Sequence, residues 1–199
     1  MTTPSDTTTM TRTFLALELP VKVKDALQRQ IGRLARAIPE VRWVDAASLH
    51  LTLAFLGELD DARLEAAIQS AAVVASGQVS LSLRLAGLGT FGPAHAPRVV
   101  WVGLEGEVRR LLELQAALAD ELAARGFARE ARPFAPHLTL ARIKRPISDA
   151  ALAALARVLT EPVARATWQA DAISVMKSEL VRPAARYTEL ARWPLLGQP

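Results

Sequence analysis

An α+β fold made of two similar lobes is what this 199-residue sequence predicts, and three observations lead to it. The tetrapeptide His-Leu-Thr-Leu occurs twice, at His50-Leu51-Thr52-Leu53 and at His137-Leu138-Thr139-Leu140. Each copy follows a strand and a helix at nearly the same distance: 31 residues separate Leu19 from His50, and 33 separate Leu104 from His137. The glycine-rich phosphate loop that a doubly wound parallel sheet would place after its first strand is missing. A duplicated unit with its boundary near residues 92–97, its halves related by a pseudo-two-fold axis, explains the repeat more economically than one wound sheet.

Taken in order, Thr13–Leu19 reads as the first strand, and Val21–Ala37 as a helix with Leu27, Ile31 and Leu34 on one apolar stripe. Pro39 closes that helix, and the strand carrying His50 follows. Side chains alternate along a strand, so His50 and Thr52 share one face while Leu49, Leu51 and Leu53 anchor the other. Gly57 fits a tight turn after this strand. Asp61–Ala75 reads as a second helix and Gln78–Leu88 as a further strand. The second half repeats the order: strand Arg98–Leu104, then helix Val108–Ala124 with Leu111, Leu114 and Leu118 inward and Gly126 as its stop. The strand carrying His137, a helix over Ser148–Leu159 and a strand over Trp168–Met176 complete it. Tyr187–Leu190 is expected to add an edge strand, with Trp193 packing against it. Residues 1–11 read as a flexible polar extension, and residues 12–199 as a single domain.

Composition narrows the function. Hydrophobic residues make up 51% of the chain, enough for a sizeable core, and the 22% that are charged are too few for a disordered charged tail. Apolar stretches are interrupted well short of a membrane span, and no signal-like segment opens the chain, so cytoplasmic residence is the expectation. The absence of cysteine removes disulfides, thiol nucleophiles and thiolate metal ligands together. A net charge of +4 is compatible with a polyanionic partner. Arg125, Arg129, Arg132, Arg142, Lys144 and Arg145 bracket the second motif and read either as a solvated face or as a phosphate-facing patch.

A single strand histidine is often only structural, but core packing does not require a polar threonine two places after it in both halves. Histidine titrates near neutrality, so one ring can accept a proton while its partner donates one. Threonine hydroxyls can donate to non-bridging phosphate oxygens, which makes a phosphodiester an apt substrate. Zinc is the enzymatic rival, yet neither motif contains a carboxylate and no local His/Cys cluster exists. His95 lies in a turn-rich connector and reads as a loop residue, and no serine has the context of a nucleophile elbow. Arg142 suits phosphate recognition. Strict alternation, however, gives it the parity of Leu138 and Leu140, away from His137, unless a bulge turns it.

Phe55-Leu56-Gly57, Phe91-Gly92-Pro93 and the run Arg132-Pro133-Phe134-Ala135-Pro136-His137-Leu138-Thr139-Leu140-Ala141-Arg142 resemble the bacterial RNA 2′,3′-cyclic phosphodiesterases of the 2H phosphoesterase superfamily, historically called 2′-5′ RNA ligases. The likeness runs from Arg12-Thr13-Phe14 to about Leu190. It implies mostly antiparallel sheets with helices outside, a central cleft holding both motifs, and no required metal or other cofactor. It also implies roles: His50 as proton donor to the ribose O3′, His137 as the group that activates or orients water, and Thr52, Thr139 and Arg142 as phosphate holders.

The expected partner is RNA bearing a terminal 2′,3′-cyclic phosphate, with small cyclic nucleotides as a second substrate class and a monomer without membrane contact as the working form. Relatives carry a glycine before the tyrosine that Arg182-Pro183-Ala184-Ala185-Arg186-Tyr187 lacks, a departure that touches loop shape or selectivity rather than the motifs. Tyr187 and Phe134 are either packing residues or base contacts. Reversible 2′-5′ joining, small-nucleotide hydrolysis and a non-catalytic RNA-end-binding module remain as alternatives.

Overall fold

The computed structural model of the chain describes residues 9–181 and 184–196, without the side chains of residues 180 and 184. Residues 1–8, the larger part of the expected terminal extension, lie outside them, as do Arg182 and Pro183. The first half contains β1 (Thr11–Glu18), α1 (Val21–Ala37), a short 3-10 turn at Ala46–Ser48, β2 (His50–Leu59), α2 (Asp61–Ser76) and β3 (Leu81–Phe91). β4 (Val99–Gly106), α3 (Val108–Ala124), β5 (His137–Arg142), α4 (Asp149–Val158), β6 (Thr167–Ala170), β7 (Ala172–Val181) and β8 (Ala184–Pro194) follow.

The local chemistry explains the ends. Asp60 and Ser148 cap α2 and α4 by accepting from Arg63 N and Ala151 N. Gly126, at φ +80°, takes the left-handed conformation that closes α3. Three expectations need correction. The single strand over Trp168–Met176 is two strands, broken at Asp171 and belonging to different sheets. Tyr187–Leu190 is the middle of an 11-residue strand, and Trp193 belongs to that strand opposite Ile173 instead of packing against it. Gly57 lies inside β2, not after it, where φ +75° accommodates a bulge at Leu56.

Two four-stranded sheets form, in the orders β2-β1-β7-β8 and β5-β4-β3-β6, with every pairing antiparallel. The halves exchange strands: β3 of the first half joins β4 of the second, and β7 of the second joins β1 of the first. One face of each sheet joins a continuous core with the helices, to which α1 brings Val23, Leu27, Ile31 and Leu34, and α3 brings Leu111, Leu114, Leu118 and Leu122. A separate small cluster of Phe14, Ala16 and Met176, with Tyr187 against it, covers the other face of the first sheet.

Both histidine strands are bulged at the same place. Ala16 pairs with Thr52 and Leu15 with Ala54, leaving Leu53 as the extra residue; Trp101 pairs with Thr139 and Val100 with Ala141, leaving Leu140. Carbonyls freed from ladder pairing need partners, and each finds one in the other half of the chain. Val44 N donates to Leu140 O at 2.9 Å, and Gln115 Nε2 donates to Leu53 O at 3.4 Å. β2 and β5, each at the edge of its sheet, thereby meet at the seam between the two.

Candidate active site

Each histidine is held by the carbonyl two residues before it. His50 Nδ1 lies 2.9 Å from Ser48 O, and His137 Nδ1 lies 2.7 Å from Ala135 O. A carbonyl can only accept, so Nδ1 carries the proton and donates, and Nε2 of each ring remains for chemistry. Leu51 and Leu138 are buried between half-buried histidines and outward threonines, so the alternation that places His and Thr together holds in both strands.

Beyond the threonines the bulges change the parity. Leu140 and Ala141 are both buried, and Arg142 emerges exposed on the side of His137 and Thr139. This is the rearrangement that strict alternation could not supply. In the first half Leu53 and Ala54 both pack toward the core, and Phe55 emerges at the position matching Arg142. Of the basic residues around the second motif, Arg125, Arg129 and Arg132 pair with Glu121, Asp120 and Glu130. Arg142, Lys144 and Arg145 are exposed without such a bridge among the described residues. His95 sits exposed in its connector.

The two imidazoles have different surroundings. His50 stacks on Phe14, ring centres 4.5 Å apart, and meets the Tyr187 ring edge-on at 5.0 Å. His137 meets Phe91 edge-on at 4.9 Å, and Phe91 in turn touches Trp101 at 5.5 Å. Gly89, opposite Trp101, makes room for the indole, because a Cβ there would lie 2.2 Å from a ring carbon. Phe134, the other aromatic expected near the cleft, packs half-buried against the main core.

Burial lowers the His50 pKa below the ordinary histidine value, since a charged imidazole loses solvation there. The bond to Ser48 O and the negative charge of Glu18 oppose this, while Lys24 adds to it. Glu18 pairs with His50 across β1 and β2, and its carboxylate accepts from Lys24 Nζ at 3.1 Å. Lys24 also donates to Ala47 O at 2.9 Å, tying α1 to the turn before His50. A cavity of about 620 Å³ opens here, lined by Glu18, Lys24, Asp45, Ser48 and Tyr187 among others.

Phe14, Phe91, Trp101 and Glu18 were not singled out by motif reasoning as parts of the site. The signal for Phe14 was its place four residues before Glu18 on the strand that pairs with β2, but it acquires meaning only once the register is known. Among the described residues no group of three or more His, Cys, Asp or Glu is placed to hold a metal ion, and no helix is long and apolar enough to cross a membrane.

Two exchanged α+β units, each presenting one oriented histidine with a threonine beside it, define the two-histidine class of phosphoesterases. A family model described as the 2′-5′ RNA ligase superfamily matches residues 23–182, and the chain belongs to that superfamily. It is 34% identical over 189 residues to a protein of Geobacillus stearothermophilus named RNA 2′,3′-cyclic phosphodiesterase, a match covering 94% of this chain and 58% of that one.

A protein of the same name from Escherichia coli K12 is 32% identical over 185 residues, covering 92% of this chain and 96% of its own. Among solved structures, TT0787 of Thermus thermophilus is similar with a TM-score of 0.79 at 29% identity, over 94% of this chain and 100% of that one. The E. coli LigT structure complexed with 3′-AMP is similar with a TM-score of 0.76 at 28% identity, over 94% and 99%.

Proposed function

We propose that this protein hydrolyses the 2′,3′-cyclic phosphate at the end of an RNA strand to a 2′-phosphomonoester, without a metal ion. The observation that carries the reading is the matched pair of imidazoles, each held through Nδ1 by a backbone carbonyl, which leaves Nε2 for chemistry, and each two residues before a threonine on the same strand face. A water oxygen attacks phosphorus and gives its proton to His137 Nε2; the bond from phosphorus to O3′ breaks, and His50 Nε2 delivers its proton to O3′. Solvent exchange then restores both rings. Thr52 and Thr139 donate to non-bridging oxygens, and Arg142, turned by its bulge, compensates the charge that develops on the phosphoryl group. The assignment of His50 as acid and His137 as base follows the resemblance to two-histidine phosphoesterases.

Burial disfavours the charged His50 that a proton donor needs. The anionic substrate supplies the correction, because a phosphate brought beside the ring raises its pKa just when the proton is required. Tyr187, edge-on to His50 and lining the neighbouring cavity, borders the terminal nucleoside on this reading. A 5′-hydroxyl in place of water would yield a 2′-5′ linkage by the same proton transfers, which is the chemistry the family description names. Small cyclic nucleotides fit the same phosphate site. The enzyme works as a cytoplasmic monomer on this reading, a state that light scattering of the purified protein checks.

The decisive experiment gives chelator-treated protein an RNA ending in a 2′,3′-cyclic phosphate, beside His50→Ala and His137→Ala. Loss of about 10²–10⁴-fold in each variant, with an unchanged circular dichroism spectrum, is expected. Full activity in either variant overturns the paired mechanism. A 3′-phosphate product would remove His50 from the leaving-group role.

A further inference from the structure

The two bulges make Phe55 the pseudo-symmetric counterpart of Arg142, yet Phe55 carries no charge. Phe55 is 56% exposed, and the guanidinium of Arg12 lies over its ring, 4.7 Å from the ring centre. Arg12 shares the strand parity of Phe14, the residue that stacks on His50, and so stands on the same face of the sheet as that histidine. Glu58 is its backbone partner across β2, but no ion pair to that or any other carboxylate joins Arg12 among the described residues. The first half therefore restores, with a residue from the neighbouring strand, the positive charge that the second half places directly at Arg142.

We propose that Arg12, held over Phe55, is the binding site for the phosphodiester one nucleotide upstream of the RNA end. This rests on the reading of the protein as a phosphodiesterase of RNA ends. A guanidinium stacked on an aromatic face keeps its in-plane N–H groups free, and those are the groups that grip a phosphate in bidentate fashion. Among the described residues no aromatic ring is paired with the Arg142 guanidinium, and that side chain can fold back to the phosphate at Thr139. Arg12 is fixed where Phe55 fixes it. Thr52 pairs with Ala16 and Phe55 with Phe14, so the bulge leaves about 7 Å along the strands between the threonine-facing phosphate and that ring, and Arg12 is rooted two residues further along β1, which sets the pinned group apart from the reacting phosphate. A mononucleotide substrate has no second phosphate to reach it, whereas a strand does, so Arg12 separates RNA ends from small cyclic nucleotides.

The test compares a nucleoside 2′,3′-cyclic phosphate with a tetranucleotide carrying the same end, in the wild-type protein, Arg12→Ala and Arg12→Lys. The ratio of kcat/KM for the tetranucleotide to that for the mononucleotide is expected to fall about tenfold in Arg12→Ala. Its log kcat/KM against log salt is expected to be shallower by about 0.7, one phosphate contact on a single strand, while Arg12→Lys keeps the slope. An unchanged ratio, or equal losses on both substrates, overturns the proposal. Anisotropy titration of a labelled tetranucleotide ending in a 2′-phosphate reports the same slope without turnover. A wild-type protein that binds this strand through Arg12 but hydrolyses neither substrate would overturn the catalytic reading and leave the phosphate site standing. Binding that is indifferent to Arg12→Ala would overturn the site itself.

Discussion

Burial works against the proton-donor role proposed for His50, and Glu18 is the side chain whose charge opposes it. Replacing Glu18 by Gln removes a negative charge from beside the ring and leaves Lys24 unneutralised, and both changes lower the His50 pKa further. The alkaline limb of the kcat/KM profile is then expected to move to lower pH in Glu18→Gln, measured on a cyclic phosphate substrate; a limb that stays in place would show that His50 is not the acid. The same shift links to stability. Above a pH of about 6.5 the ring is neutral folded and unfolded, and contributes nothing. As pH falls below that value the unfolded chain takes up the proton first, so stability declines until the lower folded pKa is passed. If Arg142 holds the phosphate as proposed, Arg142→Ala removes a charged hydrogen bond to it, and a rise in KM with a loss of about 10-fold or more in kcat/KM is expected from steady-state kinetics.

At the scale of elements, the bulges and the glycine beneath Trp101 decide what the strands present. Gly89→Ala would drive a methyl into the indole, and a cost of about 1–3 kcal/mol is expected, read as a fall of roughly 2–4 °C in Tm per kcal/mol. The displaced indole presses on Phe91, which touches His137, so the variant should lose activity at temperatures where it remains folded. An unaltered Tm would mean that the indole has another resting place. Leu51 and Leu138 have the opposite duty. Each is fully buried beside its histidine, and truncation to Ala is expected to cost about 2–5 kcal/mol in chemical denaturation.

At the scale of the whole molecule, the halves of the repeat are not the halves of the structure. β3 and β7 each complete a sheet begun by the other half, and the bulge carbonyls of Leu53 and Leu140 are satisfied across the seam. A fragment ending in the connector at residue 94 would leave β3 without β4 and β1 without β7. It is expected to be unfolded by circular dichroism, while the full chain unfolds in one cooperative step. A folded fragment would show that each repeat is a domain in its own right.

The sequence by itself determined the matched motifs, the alternation that puts His50 with Thr52 and His137 with Thr139, and the order of helices and strands. All three are local consequences of side-chain period and capping chemistry, written within a few residues of where they act. The split of Trp168–Met176 into strands of two sheets was hidden, because a short strand-like run of mixed polar and apolar residues carries no mark of which partner it will pair with. The orientation of Arg142 was hidden for a related reason: one extra residue at Leu140 reverses the parity of everything after it, and that residue is selected by pairing with β4, not by β5 alone. Only the tertiary structure could bring Phe14, Tyr187 and Glu18 to His50, or set Arg12 on Phe55, since these contacts join strands distant in sequence through a register that no single strand encodes.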